Sequence, residues 1–461
     1  MDLRDIKYVY LIGIGGIGMS ALAKYFKALG CEVSGYDLRK TIITDQLEKE
    51  TIPVLFEDEI ENIPYYVKEE NLGKLLIIYT PAIPKDHKQF NHIKERDFPV
   101  FKRSQVLGII TKSHFTVAVA GTHGKTTTSS IIAHIFNEGR INTTAFLGGI
   151  ANNFESNFLL GSFKDSDHTI VVEADEFDRS FLTLYPNLAV ITSIDADHMD
   201  IYDSKDDMVE SFQKFVEQIN KKGLLITKKE LVHHFNHKNM STYGIDDGSD
   251  YCAKNVRVEN HKYIFDIDTP KENYKNVELG LPGRHNIENA IASVAISQNM
   301  GMEQEKIQEA LKTYKGVKRR FDVRFDTDKV TYIDDYAHHP TELDAIIQSV
   351  KELYPAYELM GIFQPHLFSR TQDFADDFAQ SLSQLDELVL LDIYPAREEP
   401  IPGVDSQMLL DKISLKNKDL VPKDEVLEKI RESKPRVLLT LGAGDIDQLV
   451  MPIEDLLISL N

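Results

Sequence analysis

A glycine-bearing loop near residue 120 has the residue types of a phosphate-binding turn. Residues 120–128 read AGTHGKTTT, between the strand-like FTVAVA and the helix-like SSIIAHIF. In such a loop backbone N–H groups wrap phosphate oxygens, a lysine reaches the β and γ phosphates, and a hydroxyl ligates Mg²⁺. The strict pattern requires glycine six residues before the lysine, where this chain has Val119. We therefore predict a variant P-loop for ATP, formed by Gly121, Thr122, His123, Gly124, Lys125, Thr126 and Thr127.

A second glycine turn lies near the start of the chain. Residues 11–18 read LIGIGGIG, after a strand-like segment and before a helix-like one. This G-x-G-x-x-G spacing allows a close backbone approach to a diphosphate at a helix N-terminus. Asp37 follows the strand-like CEVSGY, where a carboxylate could bind a ribose hydroxyl. The spacing alone leaves open NAD, FAD, a sugar nucleotide, or a turn that binds no ligand.

Two acidic segments follow apolar strands. IDADHMD places His198 among three aspartates, as a metal ligand, a general base or a surface residue, and the residues alone favour the surface. A strand-end carboxylate about 50 residues after the P-loop suits Mg²⁺ together with Thr126, because magnesium prefers oxygen ligands. A solvated acidic loop is equally compatible. The spacing does not choose among the carboxylates of VVEADEFD, which are Glu173, Asp175, Glu176 and Asp178.

Three later segments carry polar groups suited to nucleotides or anions. GRHNIENA supplies His285, Asn286 and Asn289 at a helix start, where amides could meet a purine edge or cap the helix. Imidazole with guanidinium near a strand end suits a carboxylate or a phosphate. The adjacent histidines of DDYAHHPTE lack a companion spacing for metal. DDYAHHPTE and FQPHLFSRT supply Tyr336, His338, His366 and Arg370.

The elements that must position these loops follow an α/β pattern, in which short apolar segments alternate with glycine turns and helix-like stretches. Open α/β sheets bind ligands at the carboxyl ends of their strands, where these motifs lie. A small antiparallel sheet is expected after Lys229, and the charged KGVKRRFDVRFDTDK marks a boundary. We predict three domains, over 1–112, 113–316 and 317–461.

Composition limits the partners of this chain. Its 461 residues carry a net charge of −21, which disfavours non-specific nucleic-acid binding and anionic membrane surfaces. Two cysteines form neither a disulfide framework nor a zinc pattern. The charged N-terminal segment is unlike a signal peptide, and no apolar stretch approaches the ~20 residues that cross a bilayer. We expect a cytoplasmic protein with neither nucleic-acid nor membrane partners.

These motifs in this order resemble the Mur ligases, the ATP-dependent amino-acid-adding enzymes of peptidoglycan synthesis. The resemblance covers essentially the whole chain, and is nearest to members that join L-alanine to UDP-N-acetylmuramate. Folylpolyglutamate synthases share the ATP-binding core, but are not expected to share the N-terminal turn. The resemblance rests on GIGGIGMSALA, GTHGKTTT, EADE, DADHMD, PGRHN, RRFD, DDYAHHPTE, FQPHLFSRT and YPAREEPIPGVDS.

The resemblance implies a Rossmann-like domain for the UDP-sugar, a central ATPase domain and a Rossmann-like C-terminal domain for the amino acid. Lys125 would hold ATP phosphates, and Thr126 with Glu173 would bind one Mg²⁺. A second Mg²⁺ would be bound by His198. The UDP diphosphate would lie near Gly15, Gly16 and Ile17, and Asp37 is added to the UDP-sugar site from its position after the glycine turn. The ATP nucleotide would also be bound by His285, Asn286, Asn289 and Arg320.

For the C-terminal domain, the resemblance implies an L-alanine site formed by Tyr336, His338, His366 and Arg370. The family commonly carries arginine directly after the histidine of FQPH, and this chain has Leu367. Arg370 would then be the one guanidinium for the alanine carboxylate. Several Mur ligases use a carbamoylated lysine, and the corresponding place here is near Phe212, with Lys214 two residues on. We do not predict that modification.

Three other functions remain open at this point. A related ligase could attach a preformed peptide to the same sugar nucleotide. An NAD-dependent oxidoreductase could use the N-terminal turn, with the P-loop as mere structure. A non-catalytic switch could bind ATP without turnover. We expect a monomer or a homodimer.

Overall fold

The computed structural model describes residues 3–163, 167–195, 202, 204–396 and 398–460. Within these ranges the chain forms two compact units, which are described separately. The first unit comprises Met1–Ala253, Ile267–Tyr274 and Asn289–Leu311. The second comprises Lys254–Asp266, Lys275–Glu288 and Lys312–Asn461. No helix among the described residues is long and apolar enough to cross a bilayer.

The N-terminal sheet is parallel throughout and has the strand order β3-β2-β1-β4-β5. Its strands are β1 Tyr8–Ile12, β2 Glu32–Tyr36, β3 Val54–Leu55, β4 Leu75–Tyr79 and β5 Val100–Lys102. The accompanying helices are α1 Ile17–Ala28, α2 Ile42–Lys49, α3 Lys88–Glu95 and α4 Arg103–Lys112. Because β1 lies between two strands with helices on the sheet faces, residues 9–12 are fully buried.

The central sheet of the first unit has the order β12-β11-β10-β6-β9-β7-β8. Its strands are β6 Phe115–Ala120, β7 Thr143–Ala151, β8 Ser156–Leu159, β9 Thr169–Glu173, β10 Leu188–Ile191, β11 Leu224–Lys228 and β12 Met240–Ile245. Its helices are α5 Lys125–Glu138 and α6 Lys205–Glu217. Strand β6 lies between β9 and β10 and is parallel to both. The loops after these three strands therefore meet at one edge of the sheet.

One part of the central sheet was not predicted from the sequence. Strands β7 and β8 form an antiparallel pair that continues the sheet beside β9. Strands β13 Tyr251–Glu259, β14 Lys262–Asp268 and β15 Tyr274–Glu278 follow and are neighbours in that order. The next helices are α7 Arg284–Asn299 and α8 Gln304–Thr313.

The C-terminal sheet has the order β16-β17-β21-β18-β19-β20, and β16 alone is antiparallel to its neighbour within the described residues. Its strands are β16 Asp322–Asp326, β17 Thr331–Asp335, β18 Leu359–Phe363, β19 Glu387–Leu390, β20 Lys418–Leu420 and β21 Val437–Leu441. Its helices are α9 Pro340–Leu353, α10 Phe368–Asp373, α11 Ala375–Leu382, α12 Ser406–Lys412, α13 Val426–Ser433 and α14 Val450–Leu460. The adjacent strands β17, β21 and β18 bring three loops to one edge of this sheet.

Candidate active site

The predicted P-loop joins β6 to α5, and its backbone explains why the first glycine is displaced. Gly121 and Gly124 have φ of +132° and +80°, in the region that favours glycine. A Cβ at Gly121 would lie 2.0 Å from Thr192 Oγ1, and one at Gly124 would lie 2.7 Å from Asn289 Oδ1. Val119, where the strict pattern has glycine, is a buried strand residue. The turn thus needs glycine at 121 and not at 119.

Side chains from the end of β10 hold the P-loop in place. The hydroxyls of Thr122 and Ser193 lie 2.8 Å apart, and the backbone N–H of His123 donates to Ser193 Oγ over 2.9 Å. The backbone N–H of Asp195 donates to the Thr122 hydroxyl over 3.1 Å. Ser193 was not predicted as a site residue, although it lies two residues after the end of β10.

The ammonium of Lys125 is held by a buried carboxylate of the EADE segment. Its Nζ lies 2.9 Å from Glu176 Oε1 and 2.8 Å from Oε2, and also donates to the carbonyl oxygens of Gly121 and Thr122 over 2.6 and 3.2 Å. Glu176 is fully buried. Burial alone would lower the pKa of Lys125, but the nearby carboxylates, Glu176 foremost, raise it. Lys125 therefore carries a positive charge beside the phosphate loop.

Glu173 lies at the end of β9, and its carboxylate occupies the space beside Gly148, which has no side chain. The backbone N–H of Gly148 donates to Glu173 Oε2 over 3.1 Å, and a Cβ at Gly148 would lie 2.2 Å from that oxygen. Thr126 and Thr127 are buried in the first turn of α5. Among the described residues no group of three His, Cys, Asp or Glu side chains is arranged to hold a metal ion. His198, predicted as a metal ligand, lies outside the described residues.

The predicted purine-binding amides have different contacts. Asn289 Oδ1 accepts a hydrogen bond from Thr128 Oγ1 over 3.1 Å and lies against Gly124, so this amide is beside the P-loop. Asn286 Nδ2 donates to the carbonyl oxygen of Pro282 over 2.5 Å, so this side chain bonds to the backbone just before α7. His285 is the second residue of that helix.

The N-terminal glycine turn joins β1 to α1. Gly13 has a φ of +87°, and its backbone N–H donates to the carbonyl oxygen of Tyr36 over 2.8 Å. The N–H of Gly15 donates to Asp37 Oδ2 over 2.8 Å, so the predicted ribose-binding carboxylate lies against the turn. Gly16 precedes α1 without a side-chain cap, and Ile17 begins the helix.

One guanidinium lies between the two glycine loops and was not predicted from the sequence. A Cβ at Gly18, in the first turn of α1, would lie 2.7 Å from Arg103 Nη1. Arg103 Nη2 lies 3.6 Å from a carboxylate oxygen of Asp175. Asp175 directly precedes Glu176, which holds Lys125. The first unit thus connects its two glycine loops through one arginine and one acidic segment.

The predicted amino-acid site lies at the carboxyl ends of β17 and β18. Tyr336 and His338 follow β17, and His366 and Arg370 follow β18, with β21 paired to both strands. The ring centroids of Tyr336 and His338 are 5.2 Å apart, and those of His338 and His366 are 6.1 Å apart. The guanidinium of Arg320 lies 5.0 Å over the Tyr336 ring. Four of the predicted residues, with Arg320, therefore belong to one edge of the sheet.

Burial determines the charge of these histidines. It lowers the pKa of His338 and of His366 to about 4, and the positive charge of Arg370 contributes in the same direction. Both imidazoles are therefore neutral at pH 7. Burial also raises the pKa of Asp335 to about 6, although Arg320 opposes the shift.

Contacts with the YPAREEPIPG segment hold the start of α10, whose first turn carries Arg370. Leu367 precedes the helix with a φ of +72°, a conformation that costs a residue other than glycine about 1–3 kcal/mol. Its N–H donates to the carbonyl oxygen of Tyr394 over 2.9 Å. The Glu398 carboxylate accepts the backbone N–H of Ser369 over 3.0 Å. Glu398 belongs to YPAREEPIPG, a segment for which the sequence predicted no role.

Comparisons with known proteins identify relatives of the whole chain. The Mur ligase family catalytic domain matches residues 8–115, the Mur ligase middle domain 119–297, and the Mur ligase glutamate ligase domain 319–445. The UDP-N-acetylmuramate–L-alanine ligase of Flavobacterium psychrophilum is 52 % identical over 98 % of this chain and 99 % of its own. The enzyme of that name from Porphyromonas gingivalis W83 is 48 % identical over 99 % of this chain and 100 % of its own.

Solved structures show the same fold. The UDP-N-acetylmuramate–alanine ligase of Thermotoga maritima matches 98 % of this chain and 100 % of its own, with a TM-score of 0.83 and 28 % identity. A murein peptide ligase of Psychrobacter arcticus matches 98 % of each chain with a TM-score of 0.68, but its 20 % identity shows the fold alone. The predicted α/β fold, with Rossmann-like terminal domains around a P-loop ATPase domain, is confirmed. The chain belongs to the Mur ligase family.

Proposed function

We propose that this protein joins L-alanine to the lactyl carboxylate of UDP-N-acetylmuramate and converts ATP to ADP and phosphate. The single observation that carries the proposal is the placement of a charged lysine and two carboxylates at the P-loop. Lys125 lies in that loop, and the EADE segment places Glu173 and Glu176 beside it. Relatives that are named for this activity are 52 % and 48 % identical to this protein over nearly the whole chain.

The reaction has two steps. A lactyl carboxylate oxygen attacks the γ phosphorus of ATP, and the bond from that phosphorus to the β–γ bridging oxygen breaks, releasing ADP. The neutral amine of L-alanine then attacks the acyl carbon. The carbon–oxygen bond to phosphate breaks, and the N–H proton leaves with the phosphate as the amide forms. Both partners of the first step are anions. A fixed ammonium at Lys125 reduces their repulsion and stabilises charge on the transferring oxygens.

Magnesium is the proposed cofactor, and the donor set fits it. Glu173 and Thr126 offer oxygen ligands, which Mg²⁺ prefers, and the glycine at 148 leaves room for the carboxylate. Thr126, Glu173 and His198 are the proposed ligands. When bound, the ion would neutralise phosphate charge. Lys125 pairs with Glu176 and is near enough to Glu173 to feel its charge, so a phosphate bound by the lysine would lie close to the ion.

The C-terminal site suits a small zwitterion. Arg370 is proposed to bind the alanine carboxylate, with Tyr336 and His366 around it. His338 is neutral at pH 7, and the anionic alanine carboxylate and acyl phosphate would raise the pKa of its imidazole towards that of an effective proton acceptor. Because Leu367 stands in place of the family's arginine, Arg370 is the guanidinium of this segment for that carboxylate, and Arg320 lies over the Tyr336 ring at the same edge.

The remaining assignments stay proposals. They are a division into domains 1–112, 113–316 and 317–461, a cytoplasmic location, and a monomer or homodimer. The proposed UDP-sugar contacts are Gly15, Gly16, Ile17 and Asp37. The proposed ATP contacts are the P-loop residues 121–127 with His285, Asn286, Asn289 and Arg320.

Release of ADP tests the proposed activity. The assay combines ATP, Mg²⁺, UDP-N-acetylmuramate and L-alanine, and omits each in turn. We expect full ADP release only with all four. Equal release without the sugar nucleotide would refute the proposal, and a tripeptide that replaces L-alanine more efficiently would indicate the peptide-adding relative. A change in nicotinamide absorbance, with NAD added, would indicate the oxidoreductase.

A further inference from the structure

Glu342 contacts His338 in two ways and was not predicted as a site residue. It lies in the first turn of α9, directly after HHPT. Its Oε2 accepts the backbone N–H of His338 over 3.0 Å and lies 3.3 Å from the imidazole Nδ1. Its Oε1 lies 3.6 Å from Arg320 Nη1. The side chain of Glu342 is 15 % exposed, so these contacts are largely shielded from water.

The contacts of Nδ1 define which imidazole nitrogen can act as a base. Nδ1 lies 3.0 Å from the carbonyl oxygen of Tyr336, which can only accept, so Nδ1 carries the hydrogen. Nε2 of a neutral imidazole then has a free electron pair. The tautomer is therefore fixed in the form that accepts a proton at Nε2.

The charges that face His338, together with its burial, determine the pKa of its imidazole. Arg370 and Arg320 disfavour the imidazolium, burial disfavours it further, and His366 and Tyr336 are the neighbouring rings. The carboxylate of Glu342 opposes these effects. Its charge in contact with the imidazole raises the pKa of His338 and so stabilises the protonated ring, which the bound alanine carboxylate and acyl phosphate would stabilise further.

We propose that Glu342 is a positioning residue that holds and electrostatically supports His338 as the acceptor of the proton from the L-alanine ammonium. The inference rests on the proposed function. An N–H bond of the ammonium breaks, its electron pair stays on nitrogen, and the proton goes to His338 Nε2. The resulting imidazolium is balanced by Glu342, and the neutral amine attacks the acyl phosphate.

A purely structural role for Glu342 is the competing explanation. A glutamate at the third helical position commonly accepts a backbone N–H just before the helix, and glutamine does this equally well. Glu342→Gln therefore retains the helix cap and removes the charge. Glu342→Asp retains a charge on a shorter side chain. Asp344→Asn is the matched control, because Asp344 lies on the same helix and accepts instead from Gln384 over 2.5 Å.

Two nucleophiles separate the explanations. Alanine is mostly ammonium at neutral pH and must lose a proton, whereas hydroxylamine is mostly neutral and traps an acyl phosphate as a hydroxamate without a base. With Glu342→Gln we expect kcat/KM for alanine to fall about 10- to 100-fold, by analogy with the loss of the carboxylate partner of a metal-bound histidine. Hydroxamate formation should stay within about twofold of wild type. Glu342→Asp should recover part of the alanine rate, and Asp344→Asn should change neither rate.

Two results would overturn the inference. Equal losses with both nucleophiles would show that Glu342 supports the fold or the activation step. No loss with either would show that it only caps α9. The proposed function has a separate failure, in which the wild-type protein itself makes neither the alanine amide nor the hydroxamate.

Discussion

Replacement of Glu176 by alanine tests whether the P-loop lysine depends on a buried carboxylate when no nucleotide is bound. The side chains of Lys125 and Glu176 are 13 % and 0 % exposed, and their charged atoms are 2.8 Å apart. Removal of one partner of a buried ion pair costs about 3–5 kcal/mol. Lys125 would keep the carbonyl oxygens of Gly121 and Thr122, so we expect the lower end, about 3 kcal/mol. A loss of about 1 kcal/mol lowers the melting temperature of a 150–250-residue domain by about 2–4 °C, so Glu176→Ala should melt about 6–12 °C lower.

Scanning calorimetry of four proteins measures this effect. They are the wild type, Glu176→Ala, Lys125→Ala and the double variant, and the cycle gives the coupling energy between the two side chains. The control is Lys102→Ala, which breaks the half-exposed pair with Asp178, 3.0 Å apart, and should cost at most about 1 kcal/mol. Mg²⁺ with ATP should restore part of the stability of Glu176→Ala, because phosphates then supply the missing negative charge.

A melting temperature of Glu176→Ala within about 1 °C of wild type would refute this reasoning. A coupling energy near zero would do so too, since it would show that the two side chains act independently. Either result would mean that the carbonyl oxygens of the loop suffice to hold the lysine.

Three further predictions follow from the site. Gly148→Ala should displace the Glu173 carboxylate, because its oxygen would lie 2.2 Å from the added Cβ. The Mg²⁺ concentration for half-maximal rate should then rise at least tenfold. The control is Gly73→Ala, whose added Cβ meets nothing within 4 Å and should leave that concentration unchanged. His366 has a folded pKa of about 4, below its ordinary value, so the unfolded chain takes up its proton first and stability falls from pH 6.5 to 4. His366→Gln should remove up to about 3 kcal/mol of that fall, seen as a smaller pH dependence of urea unfolding. Lys125→Ala should abolish ADP release but leave UDP-N-acetylmuramate affinity, measured by calorimetry, within about threefold, since that ligand is assigned to another loop.

The loops that carry the site could be predicted because each follows a local pattern. The P-loop lies between a strand and a helix as expected, and Tyr336 and His338 directly follow β17. Parallel strands end at one edge of a sheet, so segments far apart in sequence meet there. The sequence also predicted a Mg²⁺-binding carboxylate in EADE, although its spacing did not show that Glu176 forms an ion pair with Lys125.

Other features depend on tertiary contacts that no local pattern encodes. Arg103 begins α4 like an ordinary helix residue, and only packing against Gly18 brings it between the two loops. Glu342 has the spacing of a helix cap, which conceals its contact with the imidazole. The β7–β8 pair was not predicted because its segments mix small, polar and aromatic residues without a clear strand period. The charged boundary segment contains β16, an edge strand, where charge is common.

The most direct test of the central claim follows the oxygen of the lactyl carboxylate. UDP-N-acetylmuramate labelled with ¹⁸O in that carboxylate is incubated with ATP, Mg²⁺, L-alanine and the protein, and the released phosphate is analysed by mass spectrometry. Ligation through an acyl phosphate transfers one carboxylate oxygen to phosphate in every turnover, so we expect one ¹⁸O in each phosphate released. Phosphate without the label, formed together with the alanine amide, would contradict the account.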